Sequence, residues 1–208
     1  MAAPTDPVPE QLPEELTIPN LREVAAGCKA CPLWESGTQT VFGEGPPQAR
    51  VVMVGEQPGD REDLEGRPFV GPAGRELDRA LADAGVDRDL VYITNVVKHF
   101  KWKPRGKRRI HQKPNAAEIA ACYPWLEAEV KAIQPEVLVC LGATAAQALL
   151  GRAFRITQQR GEFFDHPLGR LTATAHPSSI LRAPDDESRR LERKRLVEDL
   201  RRVAALIG

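Results

Sequence analysis

The sequence lacks an excess of charge of either sign: 29 Lys and Arg stand against 29 Asp and Glu, so the formal net charge is zero. That balance gives no global pull toward nucleic acid or membrane, although it says nothing about local patches. Long hydrophobic runs are also missing. The longest mostly apolar stretch, Val137 to Gly151, is interrupted by Thr144 and Gln147, and the start, MAAPTDPVPE, has neither the basic leader nor the apolar core of an export signal. We therefore expect no membrane span and a cytoplasmic protein, whose Ala- and Arg-rich composition suits a bacterium. Cysteine is scarce, with four residues in 208. Without an export signal these are not expected to form a disulfide framework, because the cytosol keeps thiols reduced; metal binding or plain burial remains. No repeat is visible, 18 Pro and 16 Gly are too few for a low-complexity chain, and the length fits one domain, expected to be a monomer.

What is present points to an α/β protein. Residues 1–19 hold five prolines among acids and read as a flexible leader, with residues 20–208 as a single domain. A short helix is expected from Leu21 to Gly27, then a buried strand at Val51–Val54 ended by Gly55. Ala73–Ala84 places Leu77, Ala80, Leu81 and Ala84 on one helical face, and Leu90–Thr94 reads as a strand. Asn115, with Glu118 three residues on, can cap a helix reaching Ile133. A strand at Val137–Leu141, a helix at Ala143–Leu150, strands at Gly161–Phe164 and Leu171–Ala175, and a last helix from about Glu187 complete the pattern. Strands alternating with helices predict a three-layer α/β/α domain around a four-stranded, mostly parallel sheet, with ligands bound beyond the carboxyl ends of the strands.

Those ends carry chemistry. The first strand runs into Gly55-Glu56-Gln57-Pro58-Gly59, the second into Asn95, and the last into His176-Pro177-Ser178-Ser179. A carboxylate, a carboxamide and an imidazole at one crevice could bind a small heterocycle and assist bond cleavage; singly, each is also ordinary turn chemistry. Between Lys98 and Lys113 lie eight cations and no acid, which leaves 21 cations against 29 acids elsewhere. With Phe100 and Trp102 interleaved, this segment suits single-stranded nucleic acid, where phosphates meet charge and bases meet rings; the alternative is a solvated loop. Cys28-Lys29-Ala30-Cys31 with Cys122 and Cys140 could close a four-thiolate site for zinc or an iron-sulfur cluster, though Cys140 also fits simple burial in an apolar strand.

From Cys28 onward the sequence resembles the uracil-DNA glycosylase superfamily, in the iron-sulfur branch that contains the family 4 enzymes. The resemblance is carried by the C-x-x-C, VFGEGPP at Val41–Pro47, GEQPG at Gly55–Gly59, PFVGPAG at Pro68–Gly74, TNVVKHF at Thr94–Phe100, LGATAAQALLG, and HPSSILR at His176–Arg182. Gln57, where Ala is usual, and a basic loop ending Arg108-Arg109-Ile110-His111 resemble the UdgX subgroup, whose members become covalently joined to DNA after excising uracil.

The resemblance implies a [4Fe-4S] cluster on Cys28, Cys31, Cys122 and Cys140, and uracil-containing DNA, with single strands preferred, as the partner and free uracil as a product. It implies Gly55, Gln57, Phe69 and Asn95 around the base, with Phe69 stacking on it and Asn95 reading its Watson-Crick edge. His176 would face uracil O2, Glu56 would stabilise the cation-like sugar or orient its attacker, and His111 would be that attacker. Lys107, Arg108, Arg109 and Ser178 would hold DNA phosphates. Two other readings are a glycosylase in which water attacks in place of His111, and a noncatalytic iron-sulfur protein that binds single-stranded DNA or carries electrons.

Overall fold

The structure is a computed structural model that describes Val8 and residues 12–208. The prolines before Leu12 lie outside the described residues. The chain after them is packed: Leu12 and Leu16 lie against the core, and Thr17 caps helix α1 (Ile18–Ala25) by accepting from the Asn20 amide at 3.4 Å. This helix starts one turn before Leu21 because Pro19 fits its first turn, where no amide is needed.

The central sheet contains β1 (Val51–Gly55), β2 (Val91–Asn95), β5 (Val137–Leu141), β6 (Phe163–His166) and β7 (Gly169–Thr174), in the order β2-β1-β5-β7-β6. The first four in that order are parallel, as the alternation of strands and helices predicts. β6 adds a fifth, antiparallel to β7, so the four-stranded expectation is one strand short. The difference is a tight hairpin after His166: a two-residue connection allows only antiparallel pairing.

Both faces of the sheet are buried, which is why the parallel strands read as unbroken apolar runs. Val52, Val54, Leu138 and Cys140 face one layer, formed by α1, α4 (Ala116–Ile133) and α5 (Ala143–Leu150). Val51, Met53, Val137, Val139 and Leu141 face the other, formed by α3 (Pro72–Ala84) and α8 (Asp186–Ile207). The capping box opening α4 forms as its sequence predicts: Asn115 Oδ1 accepts from the Glu118 amide at 2.9 Å, and Glu118 accepts from the Asn115 amide at 2.7 Å. Three short helices carry no periodic signal and were not expected: α2 (Asp60–Glu65), α6 (Ile156–Gln159) and α7 (Ser178–Leu181).

The basic segment is a β-hairpin. β3 (Trp102–Arg105) and β4 (Arg108–His111) pair antiparallel around a two-residue turn, where Gly106 takes φ 59°. A left-handed first turn position matches the twist of the flanking strands and favours glycine.

Candidate active site

The carboxyl ends of β1, β2, β5 and β7 open on one cavity of about 630 Å³, lined by Glu56, Phe69, Asn95, His111, His176 and Arg182 among others. Register explains the convergence: Gly55 pairs with Asn95 across β1 and β2, so the GEQPG turn leaves the sheet beside the carboxamide. Gly55 contributes space. A Cβ there would lie 2.3 Å from Asn95 Oδ1 and 2.8 Å from the Phe69 ring, so only glycine lets these two groups meet. Phe69 is held at φ 56°, a strained value for a bulky residue. Gly74 makes the strained turn possible, because any Cβ there would strike the Phe69 carbonyl. The Phe69 ring stacks toward His176, with centroids 5.8 Å apart and planes at 30°.

Asn95 is 2% exposed, and its Oδ1 has no hydrogen-bond partner. A buried unpaired acceptor costs on the order of 1–3 kcal/mol, so its retention at a cavity floor marks a ligand contact. His176 is the second polar wall. Its Nδ1 accepts from the Ser178 amide at 3.2 Å and lies 2.8 Å from Ser178 Oγ, which itself accepts from Arg182 at 2.8 Å. An imidazole that accepts at Nδ1 carries its proton on Nε2. Burial lowers the His176 pKa to about 4, so at neutral pH the ring is an uncharged donor.

Glu56 and His111 form the rim. Glu56 Oε1 lies 3.2 Å from His111 Nε2, and its Oε2 accepts from the Thr144 hydroxyl. Burial acts to raise the Glu56 carboxyl, but the bonds from His111 and Thr144 outweigh it and hold it below the usual range. The His111 side chain is 50% exposed, and its ring lies 6.2 Å from that of Phe100.

The hairpin that carries His111 is pinned at several points, and here the structure corrects the sequence reading. Gln57 lines the cavity, and its Nε2 donates to the carbonyls of Lys101 at 3.2 Å and Gln112 at 3.1 Å, clamping both stems of the hairpin. Arg109 is no free phosphate ligand. It bonds Asp60 and Asp63, each at 2.5 Å, and Thr38 at 3.1 Å, and it lies over the rings of Phe100 and Trp102. Paired to two carboxylates, that guanidinium is already neutralised. Phe100 is 1% exposed and cannot stack on a base, while Trp102 donates to the Ser36 carbonyl at 2.7 Å. Ser178 supports His176. Lys107 and Arg108 are exposed near the hairpin tip, and Lys113 lines the cavity.

Cys28, Cys31 and Cys122 are brought together under α4. Burial raises the Cys31 thiol and pushes the Cys122 thiol up to about 12, and in both cases neighbouring thiols of the set add to the rise. The Trp125 indole donates to Cys28 Sγ and the Lys98 amide to Cys122 Sγ, both at 3.2 Å. Apolar surroundings with N–H donors aimed at sulfur suit an iron-sulfur cluster. Cys140, in mid-strand on β5, is buried in the same core layer as the other three, and burial raises its thiol. Among the described residues, no three His, Cys, Asp or Glu side chains converge closely enough to hold a single metal ion.

The pattern of the uracil DNA glycosylase superfamily matches residues 42–201. The chain belongs to that superfamily. It is 41% identical over 86% of its length to the type-4 uracil-DNA glycosylase of Thermotoga maritima, of which it covers 89%. It is 36% identical to the type-4 uracil-DNA glycosylase of Sulfurisphaera tokodaii, over 91% of this chain and 84% of that one. The type-5 uracil-DNA glycosylase of Pyrobaculum aerophilum matches at 33% over 77% of the chain and 73% of the relative. The superfamily fold agrees with the mostly parallel sheet and its helical layers.

Sequence reasoning missed Thr144, which holds Glu56, and the acids of α2 that hold Arg109. It also missed His99, 4% exposed and held neutral by burial, with its pKa lowered to about 4. The Gly142-to-α5 junction could have flagged Thr144; α2 has no sequence signal strong enough to place its acids.

Proposed function

We propose that this protein is a uracil-DNA glycosylase that extrudes uracil from DNA into the cavity, cleaves its glycosidic bond and becomes covalently joined to the deoxyribose through His111. The observation that carries the reading is the buried, unpartnered Asn95 Oδ1 on a floor flanked by Phe69 and the His176 imidazole. Uracil presents N3–H and O4 to such a carboxamide; cytosine presents the reverse pattern and would leave buried groups unpaired. Phe69 stacks on the base, and neutral His176 donates from Nε2 to O2, where negative charge develops as uracil departs.

As the C1′–N1 bond breaks, its electron pair leaves with uracil and C1′ becomes cation-like. Glu56, held ionised, stabilises that charge and orients His111. An imidazole lone pair then forms the C1′–N bond, and the ring proton it sheds passes by way of Glu56 or solvent to the uracil anion, which leaves as neutral uracil. N-alkylimidazole is a poor leaving group, so the adduct persists and the protein turns over once. Cys28, Cys31, Cys122 and Cys140 would hold a [4Fe-4S] cluster, which would support the fold around Asn95. Lys107, Arg108 and Lys113 supply the surface for DNA phosphates, single strands preferred.

A denaturing gel of the protein mixed with a uracil-containing oligonucleotide tests this: a band shift that survives denaturant is expected. Free abasic product without a shift would instead assign the attack to water held by Glu56, the reading favoured by the 50% exposure of His111. Intact oligonucleotide would leave only the noncatalytic reading.

A further inference from the structure

The second strand ends in a buried ion pair that the chemistry above does not use. Lys98 is 1% exposed and Glu129 is fully buried. The Lys98 ammonium has three donors and three acceptors: Glu129 Oε2, Thr94 Oγ1 at 2.6 Å and the Asn95 carbonyl at 2.8 Å. Glu129 is saturated in turn, accepting from the Gly43 amide at 3.1 Å, Tyr92 Oη at 2.8 Å and Thr94 Oγ1.

Strand geometry shows why the Asn95 carbonyl needs this partner. β2 is the edge of the sheet, and Ile93 spends both its backbone groups on Glu44, outside the sheet. Carbonyls two residues apart point the same way, so that of Asn95 also faces outward, where no strand continues. The Lys98 ammonium fills that gap with a charge-assisted bond. A buried pair of this kind is poorly explained by stability, since desolvating two charges offsets much of their attraction.

We propose that Lys98, anchored by Glu129, is the positioning residue for Asn95, fixing the peptide from which the carboxamide reaches the base. The inference rests on Asn95 reading uracil as described above. Small displacements of such a group cost roughly 100-fold in rate.

The test is the combined variant Lys98→Met with Glu129→Gln. Glutamine still accepts from Gly43 and Tyr92 and donates to Thr94, so both charges go; the Asn95 carbonyl loses its partner, and one N–H of the new carboxamide faces the methionine side chain. We expect near wild-type melting and iron content, unchanged affinity for a uracil-free oligonucleotide, and a single-turnover rate on a uracil-containing oligonucleotide roughly 10- to 100-fold lower. A folded variant with a rate within about twofold of wild type would overturn the proposal. If the combined variant does not fold, Glu129→Gln alone is judged by the same rates, with a smaller loss expected. Asn95→Ala, run alongside, separates the two claims: an undiminished rate there would remove the base-reading role itself, independently of Lys98.

Discussion

His111 and Glu56 meet at 3.2 Å although they come from different elements, one from an exposed hairpin strand and the other from the turn after β1. The contact exists because Gln57, the residue next to Glu56, clamps the hairpin stems. The His111 imidazole and the Glu56 carboxylate are thus positioned by adjacent residues of one turn.

Gln57→Ala should therefore uncouple excision from adduct formation. Asn95, His176 and Phe69 remain, so uracil is still released, while a loosened His111 captures the sugar less often. We expect the adduct yield to fall roughly tenfold with free abasic product taking its place, measured by the ratio of shifted to cleaved oligonucleotide. An unchanged ratio would show that the clamp is dispensable.

Thr144→Val removes one of the two bonds that hold the Glu56 carboxyl down. A carboxyl whose pKa rises is protonated at higher pH, so the acid limb of the rate profile should move to higher pH. The rate at alkaline pH should change little.

His176 is uncharged in the folded protein because burial lowers its pKa to about 4, against an ordinary value of 6.5. The unfolded chain takes up this proton first, so the contribution to stability is present above about pH 6.5 and is lost as pH falls toward 4. His176→Asn should flatten the pH dependence of urea unfolding in that window, and should lower the excision rate by on the order of 100-fold through loss of the donor at O2.

Two cysteine variants test the candidate ligands. Cys122→Ser should lose iron and acid-labile sulfide and lower the melting temperature, because cluster binding contributes folding free energy. Cys140→Ser should do the same, because its buried thiol completes the four-cysteine set. Retention of iron by Cys140→Ser would remove it from the ligand set.

The sheet was legible because its strands are continuous apolar runs that end at Gly55, Asn95 and Gly142, and the cavity followed from where such strands end. The capping box at Asn115 was readable from two residues. The hairpin was not, because Lys98 to Lys113 reads as a run of charge; what folds it is long-range pairing of Arg109 with Asp60 and Asp63, and of Lys101 with Glu118. Charge counting in a sequence cannot tell a cation free for phosphate from one already spent on a distant carboxylate. Asn95 and His176 were placed correctly at strand ends, but the tautomer of His176 and the tethering role of Gln57 depend on contacts no spacing records.

The most direct test of the account is mass spectrometry of the peptides released from the protein after reaction with a uracil-containing oligonucleotide. The account predicts one deoxyribose-linked peptide with the modification on the imidazole of His111, and none in a thymine control. Attachment at any other residue, or unmodified His111 in protein that has released its uracil, would contradict it.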